Sequence, residues 1–309
     1  MNIYDILFGV PYGQVQVNCC FHNDSRASAG ISPELQYNCF ACGVSANNDV
    51  TFIRKYFDVG EQKAINIKHK LELVEKYKPT KLPVTPEQRT YLQSIGLTDK
   101  IIDKYFFCQR NGKLMYCHTW NGLDIGYTWF NSPALSTYNA GESKYKYQGV
   151  IGGMCTPYDD VIKYNTILIT EGEKDMLTAK AFGINAAVAK VGGAITPLIG
   201  GINFEGKRVI LAYDCDTPGR DGAEADAIYL KEKYNCNVKV LDLGLNDKED
   251  LNDYFIKYNH TAQDLYALIQ ATPEFVIPAH KKLTRVEKFI QSLTQEELKE
   301  LKEKIKYDE

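Results

Sequence analysis

At 309 residues and a formal charge of −3, the chain has room for two or three domains but no bulk positive charge with which to coat a polyanion. A hydrophobic content of 44% excludes wholesale disorder, and no apolar run reaches the length of a membrane-spanning helix. Residues 1–20 lack a charged start followed by an apolar run, so no cleavable signal peptide is expected. Nine cysteines, an odd number, suit a reducing cytoplasm better than a disulfide framework.

Residues 1–77 carry the first motif. Cys19 and His22, then sixteen residues, then Cys39 and Cys42, give C-x2-H…C-x2-C spacing. Two short ligand pairs joined by a loop are how one chain supplies four tetrahedral N/S donors to Zn²⁺, and a closed set of four reads as structural. Leu35–Phe40 has strand character and leads into the second pair. The run Ser45–Asp49 offers helix caps, after which Val50, Phe52, Ile53 and Phe57 fall on one helical face. Residues 61–77 read as a further polar helix or linker. Three prolines between Lys78 and Pro86 mark a boundary, residues 78–88.

A second region, residues 89–160, opens with two short helices between 86 and 107, the first capped by Thr85 with Pro86 at its first position. Leu114–Thr119 and Ile125–Phe130 read as strands joined by an Asn121-Gly122 hairpin turn. From 161 to 270 the pattern alternates. Thr166–Thr170, Ala186–Lys190, Val209–Tyr213 and Val238–Leu243 are strand-like. Asp175–Phe182, Ala223–Tyr234 and Leu251–Tyr258 are helical, which predicts a largely parallel α/β sheet. Residues 271–309 form a charged helical tail, with a capping box at Thr294.

The chemistry is expected at strand ends. Glu171 directly follows Thr166–Thr170 and opens Glu171-Gly172-Glu173-Lys174-Asp175. Asp214 and Asp216 directly follow Val209–Tyr213, and Asp250-Leu251-Asn252-Asp253 follows the last strand. In open α/β sheets the functional crevice lies beyond the carboxyl ends of the strands, so these acids should share a rim. Crowded carboxylates repel unless a cation neutralises them, and hard oxygen donors suit Mg²⁺ or Mn²⁺ in phosphoryl transfer. The stretch Gly201–Arg208 mimics a phosphate loop. It lacks the Ser/Thr that would bind Mg²⁺, and it precedes a strand, so no ATPase motor is expected.

Glu171-Gly172…Asp175 followed by Asp214-x-Asp216 resembles the TOPRIM domain of topoisomerases, primases and some nucleases. Cys19-Cys20-Phe21-His22-Asn23-Asp24, Ser32-Pro33-Glu34 and Cys39-Phe40-Ala41-Cys42-Gly43 resemble the zinc module that opens bacterial and phage replicative DNA primases. The resemblance covers about residues 10–260 and follows the primase order. It implies an α+β multidomain fold: a small β-rich zinc-binding domain (1–77), a linker (78–88), a basic subdomain of the polymerase core (89–160), a TOPRIM domain (161–270) and the tail.

It also implies a DNA-directed RNA primase that makes RNA primers from NTPs on single-stranded DNA. Glu171 would then be a metal ligand or general base, and Asp214 and Asp216 metal ligands; Asp175, Asp250 and Asp253 match further acids of the domain, with Asn252 the alternative to Asp253 as the counterpart in the third cluster. Arg110, Lys113, Lys144 and Lys146 are the candidate phosphate-binding cations. Trp129 stands near where a basic residue is common.

The zinc module would contact single-stranded template, its bases stacking on exposed aromatics such as Phe21, Tyr37 or Phe40; for Phe40 a place in a small packed core is the favoured expectation. The chain ends without a fused helicase, which would suit a phage or mobile element whose helicase acts in trans. The competing readings are a non-catalytic zinc/TOPRIM recombination mediator, against which the full acid set argues, and a metal-dependent nuclease. A topoisomerase is disfavoured because the chain has no room for its further domains.

Overall fold

The computed structural model describes residues 1–9, 15–149, 155–191 and 204–278. Met1–Glu274 make one compact unit and Phe275–Glu309 a second. The helix expected to open at Thr294 lies outside the described residues, as do Gly201, Ile202 and Asn203 of the glycine-rich stretch. Among the described residues the architecture is α+β, with three separate sheets. Among the described residues no helix is long and apolar enough to cross a membrane.

The first sheet belongs to the N-terminal module. Helix α1 (Ile3–Phe8) precedes an antiparallel meander of β1 (Val15–Val17), β2 (Ala29–Ile31), β3 (Tyr37–Cys39) and β4 (Ser45–Ala46). Period-2 alternation buries Ala29, Ile31, Tyr37 and Cys39 on one face. Against it lies α2 (Asp49–Phe57), whose Phe52, Ile53 and Phe57 are buried as the helical pattern demands. Asn48 caps it, its Oδ1 accepting the Thr51 N–H at 2.8 Å. Residues expected as helix or linker form α3 (Glu61–Lys76), which buries Ala64, Ile67, Leu71 and Val74 at three- and four-residue spacing.

The proline-rich segment is pinned, because Leu82 and Cys108 exchange backbone hydrogen bonds of 2.9 and 2.8 Å. Thr85 then caps α4 (Pro86–Ser94) in a capping box closed by Gln88, with proline in the first turn. Helix α5 (Asp99–Tyr105) leads into the second sheet, the antiparallel strands β5 (Phe106–Cys108), β6 (Leu114–Trp120), β7 (Leu123–Phe130) and β8 (Tyr145–Gln148). Asn121 and Gly122 turn the β6–β7 hairpin with φ of +50° and +74°, the two positive values a tight I′ turn requires.

That hairpin tip bolts the N-terminal module to the rest. Trp120 is 1% exposed, and its ring lies 4.3 Å from Tyr158 and 5.9 Å from Phe57. The Asn121 amide donates to the Ile6 carbonyl at 2.9 Å, and its backbone N–H donates to Asp159 at 2.6 Å.

The third sheet runs β13-β12-β10-β11-β9, from β9 (Cys155–Thr156), β10 (Thr166–Thr170), β11 (Ala187–Lys190), β12 (Arg208–Ala212) and β13 (Asn237–Val240). Four strands are parallel, and the short edge strand β9 is antiparallel to β11. Helices α6 (Tyr158–Lys163), α7 (Glu173–Ala181), α8 (Thr217–Tyr234), α9 (Leu251–Ile256) and α10 (Ala262–Ala271) complete it. Both faces are covered, so the strands read as apolar runs and not as alternation. Helix α8 begins earlier than the expected Ala223 because Asp216 caps it and Pro218 sits in its first turn.

Truncating a buried tryptophan costs about 3–5 kcal/mol. Trp120→Ala should therefore release the N-terminal module from its seat. The check is limited proteolysis, which is expected to cut the variant between Lys78 and Thr85 under conditions where the parent chain is protected.

Candidate active site

Strand register decides which side chains meet. Thr170 of β10 lies level with Ala212 of β12 and Ala189 of β11. Glu171 therefore leaves the sheet beside Tyr213-Asp214 on one side and Lys190 on the other. The loop after β12 is tied to the loop before α9, the Cys215 N–H donating to the Glu249 carbonyl at 2.8 Å, which carries Asp250 to the same rim. The result is a cleft of about 200 Å³ lined by Lys144, Tyr145, Tyr147, Gly172, Glu173 and Lys174 together with Glu171, Asp175, Asp214 and Asp250.

The carboxylates differ in how far the protein satisfies them. Glu171 Oε2 is buried without a hydrogen-bond partner, and Lys190 Nζ lies 3.7 Å from its Oε1. Asp214 accepts no hydrogen bond from a described residue; burial first, then the charges of Glu171, Asp250 and Asp216, push its pKa up to about 6 against Lys174. Asp216 Oδ1 caps α8 by accepting the Gly219 N–H at 2.7 Å. A Cβ on Gly219 would stand 2.3 Å from the Asp214 carbonyl oxygen, so this turn admits only glycine without moving Asp214.

Asp175 accepts the Asn252 N–H at 3.0 Å, and burial followed by the Asp250 charge holds its pKa far above the carboxylate range. Burial works against the Asp250 charge too, but the Lys174 ammonium at 2.6 Å outweighs it and leaves Asp250 lowered. Asp253 sits in a capping box, its Oδ2 accepting the Asp250 N–H at 3.3 Å. The Asn252 amide is structural, donating to Thr178 and to the Ile95 carbonyl, each at 2.8 Å.

An orphaned buried oxygen on Glu171 beside a carboxylate with no donor is the donor set a hard cation completes. The acidic oxygens are more widely spread than a closed cage: among the described residues the one group of His, Cys, Asp or Glu donors lying within 4.8 Å of one another is elsewhere. Such spacing fits an ion that keeps waters.

That tight group is Cys19, His22, Cys39 and Cys42 in the N-terminal module. The Tyr37 hydroxyl donates to Cys19 Sγ at 3.0 Å, and the Cys42 N–H donates to Cys39 Sγ at 3.4 Å. Burial raises the Cys39 thiol, but Ser28 and the Cys42 and Ala41 amides outweigh it and bring it down to about 6. His22 Nδ1 is buried and without a hydrogen-bond partner, which leaves it free to act as a ligand atom, while its Nε2 lies 3.9 Å from Asp24, beyond hydrogen-bond reach. The quartet fits a metal ion.

Of the four basic candidates, Lys144 alone lines the acidic cleft. Lys146 lies across from Trp129 on the other face of the second sheet, its ammonium 5.5 Å from the indole, and Lys113 is 5.2 Å from the same ring. Both pair with Glu142, at 3.0 and 3.3 Å. Arg110 lines a separate groove of about 570 Å³ with Tyr77, Lys78 and Gln148. The aromatic expectations reverse: Phe40 is 80% exposed, whereas Tyr37 is buried and Phe21 packs edge-on to Tyr37 and Phe52. Phe40 sits between two ligand cysteines whose backbone turns round the quartet, which leaves its side chain no core to enter.

Several residues escaped sequence reasoning. Lys190, at the end of β11, obeys the same strand-end rule as the acids. Glu173 lines the cleft yet is 2% exposed; Thr128 donates to it at 3.2 Å and lies 2.6 Å from His118 Nε2. Burial raises Glu173 to about 7 and lowers His118 to about 3. Nothing in the local sequence marks a long-range contact of this kind.

Residues 168–255 match the family model described as Toprim-like. The DNA primase of Enterococcus faecalis is 24% identical over 43% of this chain and 20% of its own length. The DNA primase of Haemophilus influenzae is 20% identical over 81% of this chain and 56% of its own. The chain thus spans only part of the curated relatives it matches. The zinc-binding and RNA polymerase domains of the Aquifex aeolicus primase superpose with a TM-score of 0.52 at 19% identity, over 97% of this chain and 87% of that one, which shows a shared fold.

The buried pair gives opposing pH terms. The protonated Glu173 contributes stability fully present below pH 4.5 and lost as pH rises through about 7. The neutral His118 contributes stability present above 6.5 and lost as pH falls toward 3. Between pH 7 and 5 each amounts to about 2 kcal/mol, of opposite sign. Glu173→Gln should unmask the histidine: its thermal midpoint is expected to fall over that interval, in the absence of divalent ions, more steeply than that of the parent chain.

Proposed function

We propose that this chain is a DNA primase, a nucleotidyltransferase that joins ribonucleoside triphosphates into short RNA primers on single-stranded DNA. The observation that carries the reading is the pairing, in one chain, of a closed Cys3His quartet with a strand-end acidic cleft in a Toprim-like region. The primase fold shared with the Aquifex aeolicus domains supports it. In this reading residues 1–77 bind zinc and the template, 89–160 supply basic contacts, 161–270 hold the catalytic acids, and a replicative helicase acts in trans in the cytoplasm.

Glu171, Asp214 and Asp216 would hold Mg²⁺ or Mn²⁺. When bound, such an ion activates the attacking oxygen and neutralises charge on the transferred phosphoryl group. The reaction joins a primer 3′-oxygen to the α-phosphorus of the incoming nucleotide and breaks the α–β bond, releasing pyrophosphate. Lys144 offers the triphosphate a cation at the mouth of the cleft, and the faces of Tyr145 and Tyr147 offer the base a stacking surface. Lys190 faces Glu171, its ammonium 3.7 Å from Oε1, and would help to position it. In the N-terminal module the four ligands would close around Zn²⁺ and leave no open position, so that ion is structural. Phe40, held out from the quartet, is proposed to stack on a template base.

Primer synthesis on mixed-sequence single-stranded DNA with labelled NTPs tests the reading. Asp214→Ala/Asp216→Ala should lower labelled RNA by about 100-fold or more, the scale of removing transition-state charge stabilisation. Metal-dependent cleavage of the template by the parent chain would instead make it a nuclease, and binding without either product would make it a mediator. Phe40→Ala should weaken single-strand binding by the roughly 1–3 kcal/mol of one stacked base while leaving bound zinc unchanged; equal affinity for parent and variant removes Phe40 from the template path.

A further inference from the structure

Six carboxylates were grouped by sequence as one divalent-metal set, but the structure divides them. Asp250 is fully engaged: its Oδ1 accepts the Asp253 N–H at 3.0 Å, and its Oδ2 takes the Lys174 ammonium at 2.6 Å. Asp175 accepts the Asn252 N–H and hydrogen-bonds to Asp250, and Asp253 closes the capping box. The other three keep free valence. Glu171 Oε2 has no partner, Asp214 accepts no hydrogen bond from a described residue, and Asp216 commits one oxygen to Gly219.

We infer that the Lys174 ammonium is a built-in cation of the acidic cleft, occupying the Asp175–Asp250 half so that the cleft takes one divalent ion, on Glu171, Asp214 and Asp216, and not an adjacent pair. The inference rests on the reading of this cleft as a divalent-metal site.

The physical argument is mutual exclusion of like charges. Paired ions in phosphoryl-transfer sites stand roughly 3.5–4 Å apart and share carboxylates. A second ion on Asp250 would sit against an ammonium already in contact with that carboxylate. Repulsion between charges at a few ångströms in a partly buried site is large enough to exclude one of them. Lys174 cannot simply swing into water. Its side chain is 20% exposed, and its place in the first turn of α7 directs it at the loop that opens α9. The ammonium also serves where a metal would: it neutralises Asp250 and anchors that loop to α7 across a large separation in sequence.

Manganese titration followed by electron paramagnetic resonance tests this on the full, zinc-loaded chain, counting ions bound per molecule. The parent chain is expected to bind one Mn²⁺ in the cleft, lost in Asp214→Asn/Asp216→Asn. Lys174→Met should bind two, with the spin-coupled spectrum of an adjacent pair, and Lys174→Arg should return to one. Two cleft ions in the parent chain would overturn the inference, as would a single ion in a Lys174→Met variant that retains its zinc and circular dichroism. Weakened NTP binding with unchanged stoichiometry would make Lys174 a phosphate contact and overturn it equally.

Asp250→Asn covers the case in which Lys174→Met does not fold. It should still bind one ion, and loss of that ion would show that Asp250 is a ligand. Should the parent chain bind no Mn²⁺ that Asp214→Asn/Asp216→Asn removes, the metal reading itself fails, an outcome read from a different pair of proteins.

Discussion

Glu171 and Asp214 leave neighbouring parallel strands within one residue of the same height, and the Cys215–Glu249 backbone bond brings Asp250 to meet them. Each added carboxylate raises the cost of ionising the next, so this convergence stands only because positive charge is built in around it. Lys190 arrives from β11, Lys174 from the first turn of α7, and Lys144 from the residue before β8. Three separate elements must be in register for the rim to be neutralised. The parallel sheet fixes Lys190 and helix α7 fixes Lys174 relative to the acids, and the second sheet brings Lys144 to the lining of the same cleft.

The same logic explains the buried link behind the cleft. Glu173 projects from the start of α7 onto Thr128 in β7, with His118 of β6 beyond it. Burial disfavours both a charged glutamate and a charged histidine, so below about pH 7 the pair settles as neutral acid and neutral base joined through a hydroxyl. Opposed pH terms let a polar connection run through the core without tying stability to pH between 5 and 7. The connection holds the second sheet against the helix that carries Lys174 and Asp175.

Much of this was readable in advance because local rules decided it. Strand ends placed Glu171, Asp214 and Asp250; the C-x2-H…C-x2-C spacing placed the quartet; Asn121-Gly122 placed the hairpin; Thr85-Pro86 placed a helix start. What escaped depends on distance in space. Lys146 and Lys144 look equivalent in sequence, yet alternation along β8 sends Lys146 to the face bearing Trp129 and Tyr145 and Tyr147 to the cleft, while Lys144 precedes the strand and reaches the cleft free of that alternation. Phe40 looks like core by composition, yet the turn between Cys39 and Cys42 leaves it exposed. The edge strand β9 and helices α1 and α6 are too short for periodicity to reveal, whereas α10 does carry a local signal, the Thr261–Asp264 capping box that opens it.

Trp120 shows how the two halves of the proposed activity are held at a fixed separation. The module builds its apolar cluster from its own residues between Ile3 and Leu71, and Trp120, Ile125 and Tyr158 from later in the chain complete it. Release of the hairpin tip would cost the module part of its core, so it is docked and not merely tethered. The Leu82–Cys108 backbone pair shortens the free length of the linker further, and Lys81 adds an ion pair to Asp124 at 2.8 Å beside it. With its seat fixed at the hairpin and its linker fixed at β5, the N-terminal module presents Phe40 in one position relative to the acidic cleft. A template strand gripped at Phe40 would then reach the cleft with a definite number of nucleotides between them. In a primase that distance limits where on the template synthesis starts, and the rigid seat would set it without any moving part.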